Sequence, residues 1–122
     1  MVARLIVLCS LAGVASAQEP GTKRLTHEEL KQLLSKTTIA QFVSLSGRMK
    51  GTIVLTQDGT ASVDGGSFQA RGSWRIDGDK YCSKYPGLRR GYETCYSVQS
   101  TGVNTYKLLS TEGDGSTWVV EK

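Results

Sequence analysis

Hydrolytic or group-transfer chemistry requires a nucleophile beside a base, two carboxylates held in one pocket, or a metal with several ligands. The 122 residues of this chain contain few such parts. The one histidine, His27, stands in Thr26-His27-Glu28-Glu29, the first turn of a predicted helix, where it is expected to face solvent. Carboxylates occur at Asp58-Gly59, Asp64-Gly65, Asp77-Gly78 and Asp114-Gly115, pairs that mark tight turns and that turn chemistry already explains. The run Asp77-Gly78-Asp79-Lys80-Tyr81 puts lysine and tyrosine where a calcium loop needs oxygen ligands. Cys82 and Cys95 are spaced neither as a CxxC redox motif nor as a zinc site. No catalytic residue, cofactor or metal site is therefore expected, and the chain reads as a non-enzymatic protein.

Binding is better supplied than reactivity. Within Tyr85-Pro86-Gly87-Leu88-Arg89-Arg90-Gly91-Tyr92, two adjacent arginines at the tip of a hairpin are bracketed by two tyrosines. Guanidinium forks and aromatic faces in that arrangement suit an anionic or sugar-bearing partner, so Tyr85, Arg89, Arg90 and Tyr92 are the candidate contact residues. The plainer alternative is a solvated loop tip whose tyrosines cap the end of a barrel. A second candidate is an interior site among Trp74, Tyr81 and Tyr96, because small barrels with aromatic interiors accept one apolar molecule in the mouth. The alternative there is that the same rings simply fill the core.

The compartment follows from the N-terminus. Arg4, the apolar residues 5–14 and Ala15-Ser16-Ala17 have the form of a cleavable export signal, with the cut before Gln18. The apolar run is about half of the roughly 20 residues that a spanning helix needs, and no membrane span is expected. Leu8 before Cys9 argues against lipid attachment. Export makes the two remaining cysteines, Cys82 and Cys95, a disulfide, worth on the order of 3 kcal/mol for so short a loop. Fifteen Lys and Arg, one of them Arg4, against eleven Asp and Glu leave the mature chain mildly basic. That excess is too small to imply nucleic acid. An exported protein, periplasmic or secreted, is expected, with an envelope protein, a polymer or a small apolar ligand as its partner.

The positioning elements are mainly β. Residues 18–24 read as a flexible lead and 25–122 as a single domain. Thr26 and Glu29 have capping-box form, and Leu30, Leu33 and Leu34 make one stripe of a short helix with Leu25 outside the cap. Such a helix does not hold alone in water, so it must pack on the sheet or plug one end of it. Strands are predicted near 38–45, 49–56, 60–63, 67–70, 72–77, 80–85, 92–99, 103–110 and 116–121. Links this short forbid parallel crossovers, so an antiparallel up-and-down meander forming a small barrel or strongly curled sheet is expected. Setting Cys82 opposite Cys95 places Tyr81 opposite Tyr96, Tyr85 opposite Tyr92 and Lys84 opposite Glu93. Trp74, Ile76, Tyr81, Tyr85, Tyr92, Tyr96 and Val98 then share the core face.

Leu25-Thr26-His27-Glu28-Glu29-Leu30, Asp58-Gly59-Thr60, the run from Gly72-Ser73-Trp74 to Tyr81-Cys82, and Cys95-Tyr96 together resemble a family of small exported proteobacterial proteins grouped as a domain of unknown function. The resemblance implies an N-terminal helix, a G-x-W strand, a two-cysteine hairpin and export, and carries no activity with it. The helix followed by a meander is also loosely similar to lipocalin-type barrels. An exported binding or interaction module stapled by one disulfide is the resulting expectation. The alternatives are a small envelope enzyme or an inhibitor of a host hydrolase, the latter disfavoured by the positive charge if the target is itself basic.

Overall fold

The structure is a computed structural model that describes residues 22–121, so the export signal expected at residues 1–17 lies outside the described residues. Its elements are β1 (Lys23–Arg24), α1 (His27–Leu33), β2 (Thr38–Ser44), β3 (Lys50–Leu55), β4 (Thr60–Asp64), β5 (Gln69–Asp77), β6 (Lys80–Lys84), β7 (Thr94–Gly102), β8 (Thr105–Leu109) and β9 (Gly115–Val120). Strands β2 to β9 pair antiparallel in sequence order, and β9 pairs back onto β2, which closes an eight-stranded barrel. The expected meander is present and closed, which removes the two free edges that an open sheet of this size would expose.

Eight strands replace nine in the barrel because the expected runs 67–70 and 72–77 are one strand, β5, whose exposure alternates residue by residue throughout. Gly72 lies within it because a Cβ there would sit 1.9 Å from the carbonyl oxygen of Lys84, on the neighbouring strand. The Asp-Gly pairs do not form type I′ turns, in which both central residues would have positive φ. Positive φ falls on Gly59, Gly66, Gly78 and Gly113 and on none of the four aspartates. Glycine takes the left-handed conformation without a Cβ penalty, and at two sites a neighbouring glycine outside the Asp-Gly pair takes it. Two of the carboxylates instead hold their turns from the side chain, with Asp58 Oδ1 accepting from Thr60 N at 3.0 Å and Asp64 Oδ1 from Gly66 N at 2.9 Å.

The capping box forms as the residues require. Thr26 Oγ1 accepts from Glu29 N at 3.2 Å, and Glu29 Oε1 accepts from Thr26 N at 2.9 Å. Leu25, Leu30 and Leu34 are buried, and α1 packs against β5 and β6 at one end of the barrel. Lys23 and Arg24, within the expected lead, pair with Ser100 and Gln99. They occupy the edge of β7 beyond Ser97, where its pairing with β6 stops.

Register bears out the predicted faces from Lys80 to Ser83, but the expected Tyr85–Tyr92 and Lys84–Glu93 pairs lie beyond it. Tyr81 opposes Tyr96 and Cys82 opposes Cys95, and the two cysteines form the disulfide. Tyr81 and Val98 are buried, and Trp74, Ile76, Tyr85 and Tyr96 pack partly buried against the core. Tyr92 departs from that group at 68% exposed. The predicted Lys84–Glu93 facing also changes. Glu93 takes a two-pronged bond from Arg75, Nε to Oε2 and Nη2 to Oε1, each 2.8 Å. Arg75 pairs with Cys82 in the β5–β6 register, and its planar fork matches a carboxylate as an ammonium cannot.

Candidate functional site

Strand direction assigns each loop to one end of the barrel. At one end lie α1 and the β3–β4, β5–β6 and β7–β8 hairpins; at the other lie residues 45–49, 65–68, 85–93 and 110–114. The second end has no α-helix among the described residues, only the short 3₁₀ turn Arg89–Gly91, and a cavity of about 510 Å³ opens there. Its buried walls are Phe42, Ile53, Val63, Tyr81, Leu108 and Trp118, each supplied by a different strand. Alternation with period two turns these side chains inward while Gln41, Val43, Thr117 and Val119 face out. Leu45, Met49 and Tyr92 form the rim and are 41%, 40% and 68% exposed.

Polar groups are few inside this envelope. Ser44, Ser46, Ser83, Thr94 and Ser116 contribute aliphatic hydroxyls, and Arg48 and Asp114 are the only charged side chains among the lining residues. Two buried polar atoms have no hydrogen-bond partner among the described residues, Trp118 Nε1 and Tyr85 Oη, and both residues line the cavity. Tyr81 connects them: its ring meets Trp118 edge-on at 5.2 Å. The Tyr81 and Tyr85 phenols are also near enough to influence each other's ionisation, although Tyr85 Oη lacks a well-formed bond. Burial pushes the Tyr85 phenol up to about 12 and holds Tyr81 well above its ordinary value, so both are neutral donors at physiological pH.

The candidate residues of the 85–92 hairpin separate. Tyr85 is a wall of the cavity and Tyr92 a rim residue, joined there by Leu88. Arg90 is exposed in a tight turn with φ of 59°. Arg89 begins the same short turn, Arg89–Gly91. Of the interior candidates, Tyr81 and Tyr96 line the cavity, whereas Trp74 lies toward the opposite end and donates Nε1 to Thr56 O at 2.8 Å. Sequence reasoning missed Trp118 and Phe42, which face each other across β9 and β2. Alternation in Ser116-Thr117-Trp118-Val119-Val120 was the available signal, but a residue's height within the barrel depends on long-range register.

His27 is exposed at the helix end, away from the cavity, and its Nδ1 meets the carbonyl oxygen of Gly78. Asp79 there pairs with Arg24 at 3.1 Å. The Cys82, Glu93 and Cys95 ligand atoms lie within 4.8 Å of one another. Their sulfurs are already joined, so this cluster offers no thiolate to a metal. Glu93 instead sits by the disulfide with Arg75 holding its carboxyl below the usual range.

Fold and cavity together define a small closed antiparallel barrel, plugged by a helix at one end and hollow at the other. No family model matches the chain, and neither a curated protein nor a solved structure is significantly similar to it. No helix among the described residues is long and apolar enough to cross a membrane.

Proposed function

We propose that this is an exported, non-enzymatic binding protein that carries one small apolar molecule in the barrel mouth. The observation that supports this reading is the cavity of about 510 Å³, walled mainly by Phe42, Ile53, Val63, Leu108 and aromatic side chains. Its size falls within the roughly 300–1,000 Å³ range of small-molecule sites, and mostly apolar walls with a few placed polar groups are their usual composition. An eight-stranded barrel is also about the size that holds one small ligand. Leu45, Met49 and Tyr92 at the rim give an apolar approach to the same opening. Export rests on the predicted signal, and the Cys82–Cys95 disulfide accords with an oxidising compartment.

Native mass spectrometry of protein purified gently from its own cells tests the reading. An added mass that disappears on denaturation is the expected result. Apo protein that also fails to take up any of a panel of apolar probes would sink it. A second reading is favoured by exposed Tyr92 and Arg90, namely that the hairpin tip contacts an envelope protein or polymer. Replacing Arg89 and Arg90 together by alanine should then reduce co-purification of that partner without unfolding the domain. Undiminished co-purification counts against it.

A further inference from the structure

We propose that the Arg75–Glu93 ion pair is a strap that closes the Cys82–Cys95 disulfide to reductants, and that a thiol which gets past it attacks at Cys95. The bond closes the hairpin that brings Tyr85, Leu88 and Tyr92 to the cavity, so the strap guards the covalent base of the mouth. It does so whether or not a ligand occupies the barrel.

Tyr81 and Ser83 turn into the barrel, so alternation turns Cys82 between them toward the outside. Cys82 is nevertheless 0% exposed. Its cover comes from side chains of the outer face. Arg75 is its partner on β5 and Cys95 its partner on β7. From β5, Arg75 reaches across β6 to Glu93, which immediately precedes β7, and holds it through two bonds of 2.8 Å. The ion pair therefore spans β6 at the level of Cys82. A Glu93 carboxylate oxygen lies within 4.8 Å of both sulfurs. Asp77, two residues along β5, steadies the same guanidinium at 3.7 Å. The Arg75 and Glu93 side chains are 55% and 34% exposed, so the pair forms the wet surface and Cys82 lies beneath it.

Reduction by a dithiol begins when its thiolate reaches one sulfur of the bond. Cys82 presents no surface, whereas Cys95 is partly exposed, so the folded protein offers Cys95. The incoming sulfur bonds to Cys95 Sγ, the Cys82–Cys95 bond breaks, and Cys82 leaves with the electron pair as a thiolate. The second thiol of the reductant then displaces Cys95, which leaves the reductant as a disulfide and the protein with two thiols. Access is one of the quantities that set the rate of the first step. Held by Arg75, the Glu93 carboxylate occupies that approach until the pair opens.

The rate at which dithiothreitol releases thiols from the oxidised protein tests the strap. Glu93→Ala and Arg75→Ala should each be reduced roughly two- to fivefold faster than the unaltered protein, the factor that an exposed ion pair contributes to a local opening. Thr26→Ala, a destabilising change at the helix end, should leave the rate unaltered. Brief exposure to glutathione, followed by blocking with N-ethylmaleimide under denaturing conditions and peptide mass mapping, should place glutathione on Cys95 and the maleimide on Cys82. Unchanged rates in both strap variants overturn the proposal. Equal acceleration in Thr26→Ala overturns it as well, because reduction would then pass through global unfolding. Acceleration with dithiothreitol that is absent with tris(hydroxypropyl)phosphine, a neutral reductant, overturns cover in favour of charge alone. Glutathione found on Cys82 overturns the assignment of Cys95 as the attacked sulfur.

Discussion

The two tryptophans stand toward opposite ends of one barrel and are treated differently. Trp74, toward the helix end, donates its indole N–H to Thr56 O at 2.8 Å. Trp118, on the cavity wall, has no partner for the same group although it is more deeply buried. The contrast extends to the whole of each end. Leu25, Leu30 and Leu34 cover a floor of Ala40, Leu55, Ala61, Val98 and Val120, and Gln57 Nε2 donates to the terminal carbonyl of Leu34 at 2.8 Å. At the mouth, larger side chains surround a void. The proposed ligand-carrying reading accounts for the open end, because the chain fills and satisfies the other one.

On the proposed reading, stability belongs to the helix end and recognition to the mouth. Leu30→Ala should therefore produce the largest loss, on the order of 3 kcal/mol or more, because Leu30 is fully buried and its neighbours on a closed barrel cannot collapse into the gap. Tyr92→Ala should stay within about 0.5 kcal/mol. Urea midpoints of the two variants are the measurement, and comparable losses would break the comparison at its root.

The disulfide should be next in size. Replacing Cys82 and Cys95 together by serine removes a cross-link that closes a short loop, worth about 3 kcal/mol in the chain-entropy model. Because the bond pins the base of the 85–93 hairpin, amide exchange should rise there, at the mouth, before it rises in α1. Exchange rising first in α1 would mean that the helix end is the weaker one.

Much of this architecture was legible in short-range pattern. Capping, strand alternation and the pairing of Cys82 with Cys95 depend on neighbours in sequence or on one hairpin, and they fix the helix, the antiparallel order and the aromatic face. What escaped was set by distant partners. The runs 67–70 and 72–77 are read as separate strands because the Lys84 carbonyl that demands Gly72 in mid-strand comes from the next strand. The mouth was half visible: Tyr81, Tyr85, Tyr92 and Tyr96 were singled out, but under separate hypotheses. Closure of β9 onto β2, which brings Trp118 to the same cavity as Tyr85, has no local signal.

Alkaline pH sharpens the comparison through the mouth alone. Burial raises the Tyr85 phenol to about 12 from an unfolded value near 10. Above pH 10 the unfolded chain then loses a proton that the folded chain keeps. The contribution is fully present below pH 10 and is lost as pH rises toward 12, on the order of 2 kcal/mol for this one group. In Tyr85→Phe this part of the decline should be missing. An unchanged alkaline profile would mean that the phenol is effectively solvated and the cavity wetter than its walls suggest.

The smallest expected effect tests whether the two ends are independent. Thr26→Ala removes one half of the capping box, and loss of such a cap costs about 1 kcal/mol. The remaining half weakens in acid: Lys23 first, then the Thr26 backbone, hold the Glu29 carboxyl below its usual range. Its contribution is therefore present above that range and lost as pH falls through the lowered value. Helix and mouth are separated by the packed floor of Leu55 and Val98, which do not line the cavity. The variant should accordingly unfold at lower urea while binding a small apolar probe with the affinity of the unaltered protein. A weakened affinity in still-folded protein would show that the helix sets the shape of the cavity from beneath, and that plug and mouth act as one device.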